Sequence, residues 1–234
     1  MTSLQHIISD IENLAASGQL TYSFRIEHEQ IAFWIHEIRS MLISQAIQKG
    51  QDISDVWVQS IGCVEMEQVS TSECCEDTSD CYILRSVSKL PLTIETHMDN
   101  SIIRVVTASG EIISKSNPFS TKFQEYSRYT KNTPRWYIKA GYLYVEGVSL
   151  LEKVTVYGLF ENPEDLADWI NCEDEECFSW DDAYPVSLKM ASEITNIVFK
   201  TKIMPYFSTI PDTDNDAHNE SGLLQNKNTQ ENKL

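Results

Sequence analysis

The cysteines are the residues whose type and spacing come closest to a chemical site in this chain. Cys74, Cys75 and Cys81 fall in one acidic stretch, and Cys172 and Cys177 fall in another. A structural zinc site requires about four convergent ligands, usually supplied as two close pairs. These spacings are wider than those of common zinc knuckles, and no histidine lies beside either pair. A zinc site stays open as an alternative, but we expect small, semi-apolar cysteines at the ends of strands and loops.

Redox and nucleophilic roles for the cysteines are disfavoured by the sequence. The sequence contains six cysteines, the five named above and Cys63. No two of them form a C-x-x-C pair, and in a cytosolic chain of 234 residues they argue against a disulfide framework. A nucleophilic cysteine requires a neighbouring base and an electropositive setting. Cys74 and Cys75 are instead surrounded by acids, which disfavour a thiolate.

Other residue types that could do chemistry also favour ordinary roles. His28 and His36 lie eight positions apart on a predicted helix, too far to share one ion, and we expect a surface or interface role. The acids of CEDEEC, residues 172–177, lack the spacing and the glycine of a calcium loop. No phosphate loop, dinucleotide turn or nucleophile elbow is present. We therefore predict no catalytic residues, no metal and no cofactor, and hence no enzyme.

The chain is strongly acidic, with a net charge of −17 from 35 acids and 18 bases. Phosphate neutralisation by Lys and Arg dominates affinity for nucleic acids, so this chain is poorly suited to coating DNA. Acidic walls could instead face DNA across a lumen without binding it. The sequence contains no apolar run of about 20 residues, and its start does not resemble a secretory signal. We expect synthesis in a cytoplasm.

The apolar periodicity predicts an α+β fold in four parts. Helices are predicted over residues 2–17 and Glu27–Lys49, followed by short strands rich in β-branched and aromatic residues. A short helix at NPEDLADWI and a longer one starting near an Asp cap and Pro185 follow. The predicted parts are N-terminal helices (1–52), an antiparallel sandwich or barrel-like β insertion (53–160), C-terminal helices (161–204) and an extended or disordered tail (205–234). The two sets of helices are expected to form one bundle, from which the sheet projects.

Four stretches of the sequence resemble a known family. They are YILRSVSKLPLTIE, RWYIKAGYLYVEG, KVTVYGLFENPEDL and YPVSLKMASEITNIVFK. Over residues 4–205 the chain is similar to the head-to-tail connector (adaptor) ring proteins of crAss-like bacteriophages, and more distantly to the tubular adaptors of short-tailed phages. The most characteristic parts are the hairpin at Gly141–Val145, the strand exit at Tyr157–Pro163 and the helix start at Tyr184–Pro185.

This resemblance implies a structural virion protein. Such adaptors form a homo-oligomeric ring, typically of about twelve copies, between the portal and the tail, and DNA passes through the lumen without specific binding. The implied partners are further copies of the chain, the portal protein and other ring or tail proteins, with no membrane. Interfaces are expected on the second helix, on the helix from Pro185 to Thr201 and from Met204 onward. The tail is predicted to dock through its sizeable apolar groups, which are Phe207, Ile210, Leu223 and Leu224.

Two further functions remain open from the sequence. The aromatic β unit could belong to another portal-vertex or tail binding module that recognises protein or glycan. An enzyme with a cysteine-ligated metal or a cysteine nucleophile is the other alternative, and stoichiometric zinc in the purified protein would support it.

Overall fold

The computed structural model describes residues 2–16, 26–70, 82–96, 99–117, 133–148, 150–173 and 175–207. Helices α1 (Leu4–Ala15) and α2 (His28–Gln48) precede the strands, and α3 (Leu188–Val198) follows them. A π-helical turn, Phe199–Ile203, joins α3 to the short helix α4 (Met204–Phe207). The α+β class predicted from the sequence is therefore confirmed.

Local side-chain chemistry explains where α1 and α3 begin. Ser3 caps α1, since its hydroxyl accepts a hydrogen bond from the backbone N–H of His6 at 3.2 Å. Ser187 caps α3 in the same way through Met190 N–H. The sequence predicted an Asp cap and a start near Pro185, so the predicted start of α3 is wrong. The stretch NPEDLADWI forms a 3₁₀ turn at Pro163–Leu166 rather than an α-helix.

The strands form a closed barrel of seven strands. Its order is β1-β2-β8-β7-β6-β5-β9, and its neighbouring strands are antiparallel except for the parallel pair β6 and β7. The barrel strands are β1 (Gln59–Ser70), β2 (Tyr82–Ser86), β5 (Ile102–Thr107), β6 (Ile112–Lys115), β7 (Arg135–Lys139), β8 (Tyr142–Glu146) and β9 (Lys153–Gly158). A separate two-stranded ribbon is formed by β3 (Glu95–Thr96) and β4 (Asp99–Asn100).

Strand β1 is long enough to pair with two neighbours. Its first half pairs with β9 and its second half with β2, and the register shifts between Ile61 and Val64. The sequence pattern predicts two separate strands here, VWVQSI and CVEMEQV. They are one strand interrupted by a β-bulge, which bends the strand and increases its twist.

The helices and the barrel share one hydrophobic core. Buried side chains of α1, α2 and α3 belong to the same cluster as the inward residues of the barrel, among them Val105, Trp136 and Leu143. The three helices also contact one another. Because the core is continuous, a displacement of the helices would expose the apolar interior of the barrel to water.

Two glycines at turns of the barrel differ in the space around them. Gly110 and Gly147 both have positive φ angles, of 89° and 83°. A Cβ at Gly110 would meet no atom within 4 Å, but one at Gly147 would lie 2.7 Å from the carbonyl oxygen of Thr133. We expect Gly110→Ala to lower the free energy of unfolding by about 1 kcal/mol, and Gly147→Ala by at least about 3 kcal/mol. Chemical denaturation measures both changes in the free energy of unfolding. Equal losses would show that the backbone of Thr133 does not lie against Gly147.

Candidate assembly interface

Arg39 lies where the helices meet the barrel, and its side chain is fully buried. The guanidinium donates to three backbone carbonyl oxygens, those of Trp57 at 3.3 Å, Phe160 at 2.8 Å and Pro185 at 3.2 Å. It also donates to Gln59 Oε1 at 3.3 Å. These acceptors lie where the chain enters the barrel, leaves it and approaches α3. One side chain of α2 therefore holds three distant chain segments together.

A second polar contact lies one turn before Arg39. His36 Nδ1 lies 2.8 Å from the Tyr184 hydroxyl oxygen, and His36 Nε2 lies 3.4 Å from Glu164 Oε1. Burial raises the pKa of the Tyr184 hydroxyl, and burial also lowers the pKa of the Arg39 guanidinium; the proximity of the two groups partly offsets both shifts. His36 and Tyr184 are enclosed in the core, so this contact fixes the chain before α3 rather than meeting a substrate.

The acidic segment, residues 161–182, is attached to the barrel by a disulfide bond between Cys63 and Cys172. Cys63 lies in the bulge of β1 with a φ of 51°. Beside it, Gly62 packs on the segment so closely that a Cβ there would lie 3.1 Å from Asn171 Cα. The expectation that the cysteines form no disulfide is wrong for this pair, because the fold brings together two residues 109 positions apart.

The tip of the acidic segment is a closed turn over residues 169–177. Asn171 holds the turn, because its Oδ1 accepts hydrogen bonds from the backbone N–H groups of Glu173 at 2.8 Å and Glu175 at 3.0 Å. The turn presents Glu173, Glu175 and Glu176 as exposed side chains. The disulfide and the turn thus give the acids a defined position on the barrel.

One of the four remaining cysteines lies among the described residues. Cys177 is partly buried and has a free thiol, and Cys74, Cys75 and Cys81 lie outside the described residues. Within the ranges that the structure describes, no three His, Cys, Asp or Glu side chains come together as a metal site.

Strands β2, β7 and β8 and the segment that follows β2 carry aromatic and basic side chains that we call the Tyr142 surface. It is defined as Arg85, Lys89, Lys139 and Tyr142. The Arg85 guanidinium carbon lies 4.9 Å, and Lys89 Nζ 5.7 Å, from the centre of the Tyr142 ring, as in cation–π contacts. Lys139 is the cross-strand partner of Tyr142. Glu67 of β1 pairs with Arg85 and raises the pKa of its guanidinium. The surface keeps an excess of positive charge.

The helices expose apolar side chains in the regions expected to form interfaces. Large exposed side chains lie on α2, at the start of α3 and at the start of α4: Phe33 (61% exposed), Met41 (39%), Leu188 (71%) and Met204 (50%). Isolated exposed apolar residues are normal on protein surfaces. Their occurrence in these regions agrees with the interfaces that the sequence predicts.

The described chain ends beside α2. Lys202 Nζ forms an ion pair with Glu37 Oε2 at 2.9 Å, and Phe207 is the last residue of α4. The side chain of Phe207 is not among those described. The other predicted tail anchors, Ile210, Leu223 and Leu224, lie outside the described residues, so their role stays a prediction.

A scan against models of protein families matches residues 6–227 to the family of phage tail ring protein 2. The chain belongs to this crAss-like phage ring protein family. The match covers the helices, the barrel and most of the chain beyond α4. A search of curated proteins finds no match.

Family membership gives the ring protein a structural role in the phage tail and makes it a virion component. A ring implies oligomeric assembly together with other tail proteins. In the part of the ring protein that the structure describes, no helix is both long and apolar enough to span a membrane.

Several features of the ring protein were not predicted from its sequence. His36 was expected at a surface or interface but is only 4% exposed, whereas His28 is exposed and pairs with Glu12 of α1 at 2.8 Å. The importance of Arg39 was missed, although a signal existed. Arg39 follows Ile38 on the apolar side of a predicted helix, and a charged residue there is unusual unless it has buried partners.

The buried contacts of Arg39 predict that Arg39→Lys lowers the free energy of unfolding much more than Arg104→Lys does. Lysine has a compact ammonium that cannot donate along the directions of the guanidinium fork. We expect Arg39→Lys to lower the free energy of unfolding by about 3 kcal/mol, because buried carbonyls lose their donors. Arg104→Lys changes an exposed arginine of the barrel and serves as the control, with a loss below about 0.5 kcal/mol. Similar losses by chemical denaturation would show that Arg39 does not hold the junction.

The buried Tyr184 predicts a pH dependence of stability. In the unfolded chain this hydroxyl ionises near its ordinary pKa of 10.0, whereas in the folded protein its pKa is raised. Its contribution to stability is therefore complete below pH 10.0 and is lost as pH rises toward the folded pKa. We expect the difference in unfolding free energy between wild type and Tyr184→Phe to shrink above that pH. Tyr157→Phe is the control, and a Tyr184→Phe difference that stays constant with pH would contradict the prediction.

Proposed function

We propose that the ring protein forms a ring layer between the portal and the tail, as a head-to-tail connector through which DNA passes. The observation that carries the proposal is the extent of the family match, which continues to residue 227. It therefore includes Ile210, Leu223 and Leu224 as well as the residues that the structure describes. A polar chain with a few apolar groups suits docking by folding on a partner.

The proposed ring consists of about twelve copies, as in related adaptor rings. Its three long helices act as a bundle that packs beside the helices of the neighbouring copies, with exposed Phe33 and Met41 near the contacts. Cyclic closure uses two different faces of each copy, since each interface is heterologous. Because each copy carries a net charge of −17, DNA passes through the lumen without binding to its wall. Synthesis takes place in the host cytoplasm before assembly into the virion.

Portal docking is tested by two matched double substitutions in the tail. Leu223→Ser with Leu224→Ser removes two proposed anchors, and Gln225→Ser with Asn226→Ser changes the adjacent polar pair. Native mass spectrometry of each full-length variant, mixed with the cognate portal, measures binding. We expect the leucine variant to lose the portal complex and the control to retain it, because the leucines bury apolar surface on the portal.

Portal binding by the leucine variant at the wild-type level would contradict the docking proposal. If wild-type protein fails to bind the portal at all, the ring lies elsewhere in the tail. Binding of the barrel to a glycan or to another tail protein would then support the alternative of a binding module.

A further inference from the structure

We propose that the Tyr142 surface binds the acidic segment of a neighbouring copy and thereby closes the ring. The proposal rests on assembly into a ring and names the partner of one surface, independently of whether the ring also binds a portal.

The Tyr142 surface has the composition of a binding hot spot. Tyrosine and arginine are enriched among residues that dominate protein interfaces. Here the half-buried Tyr142 ring lies against Arg85 and Lys89, and the Arg85 side chain is further fixed by Glu67. Lys89 also packs along Gly141, since a Cβ at that glycine would lie 3.7 Å from Lys89 Cδ. The basic groups are therefore positioned in advance, which reduces the entropy lost on binding.

The charge of the acidic segment is complementary to that of the Tyr142 surface, which indicates that this segment is the partner. The segment carries ten acids and no base, and its tip presents exposed Glu173 and Glu176. Copies that each carry a charge of −17 repel one another unless their contacts bring opposite charges together. A contact between the Tyr142 surface and the acidic segment relieves this repulsion at every interface of a ring.

The positions of the two surfaces suit head-to-tail contact. The acidic segment is anchored at Gly62 and Cys63, in the half of β1 that pairs with β9. Tyr142 lies on β8. Around the closed barrel, β1 is separated from β8 by β2 on one side and by β9, β5, β6 and β7 on the other. The two surfaces are therefore different patches of one copy, as a heterologous interface requires.

A nucleic acid could also meet a basic and aromatic surface, but the charges favour a protein. The Tyr142 surface contributes three of the chain's 18 bases, against 35 acids in total. DNA approaching it would also meet the field of those acids, whereas a neighbouring copy offers its acids at a single fixed tip.

Two charge-reversed variants test the contact. The surface variant carries Lys89→Glu and Lys139→Glu, and the segment variant carries Glu173→Lys and Glu176→Lys; all four side chains are exposed. The control variants, Arg104→Glu with Lys153→Glu and Glu111→Lys with Glu152→Lys, make the same charge changes at exposed positions outside the helices and outside both surfaces. Native mass spectrometry and analytical ultracentrifugation of the full chain, without portal, report oligomers.

We expect each test variant alone to lose assembly, with self-association weaker by at least about a hundredfold, because like charges then face each other. The control variants should assemble as the wild type does. A mixture of the two test variants should assemble again, because each reversed surface then meets an opposite charge on the other variant. The restored oligomers should contain equal numbers of both variants in alternation. Wild-type assembly should weaken with rising salt.

Assembly by either test variant alone at the wild-type level would overturn the proposal. So would a mixture that stays monomeric although circular dichroism shows both variants folded, or a wild-type chain that stays monomeric throughout. If the surface variant assembles normally but loses binding to a short DNA duplex, the surface binds nucleic acid instead. Portal binding is measured in a separate experiment, so a failure to bind the portal does not change the conclusion about this contact between copies.

Discussion

The buried guanidinium of Arg39 joins the helices to the barrel through hydrogen bonds to the backbone. Its carbonyl partners lie at the entry to the barrel, at its exit and before α3. Burial of a charge is costly unless hydrogen bonds compensate for it. The charge is therefore accommodated only when all three segments are in place, which makes the position of the helices on the barrel a cooperative property of the fold.

The disulfide between Cys63 and Cys172 places a second constraint on the same chain. It attaches the acidic segment to β1 only a few residues after Gln59, which contacts Arg39. The buried junction thus fixes the start of the segment through Phe160, and the disulfide fixes its tip. A segment with ten acids and no base would otherwise extend through self-repulsion. Two anchors convert it into a surface of defined position.

The sequence predicted most of the features that depend on local pattern, with the stretch NPEDLADWI among the exceptions, and it failed for those that depend on long-range contact. The apolar spacing of Leu4, Ile7, Ile8 and Ile11 predicted α1, because helical periodicity is local. Strand β6, a short strand with one buried residue, carried too weak a pattern. The partners of Arg39 and Cys63 lie up to 146 and 109 positions away, and one sequence contains no record of such pairing. The Tyr142 surface was likewise missed, because its residues come from three strands.

The distribution of charge follows from these two anchors. The acids near the disulfide are anchored on β1, while the bases around Tyr142 lie on or next to β2 and β7. In a closed ring each copy presents both surfaces to different neighbours, so the favourable contacts grow in number with the copies. Repulsion between whole copies is screened beyond about 8 Å in physiological salt, whereas charges in direct contact are screened less. Fixed opposite charges at the contacts can therefore hold together a ring whose copies are each strongly acidic.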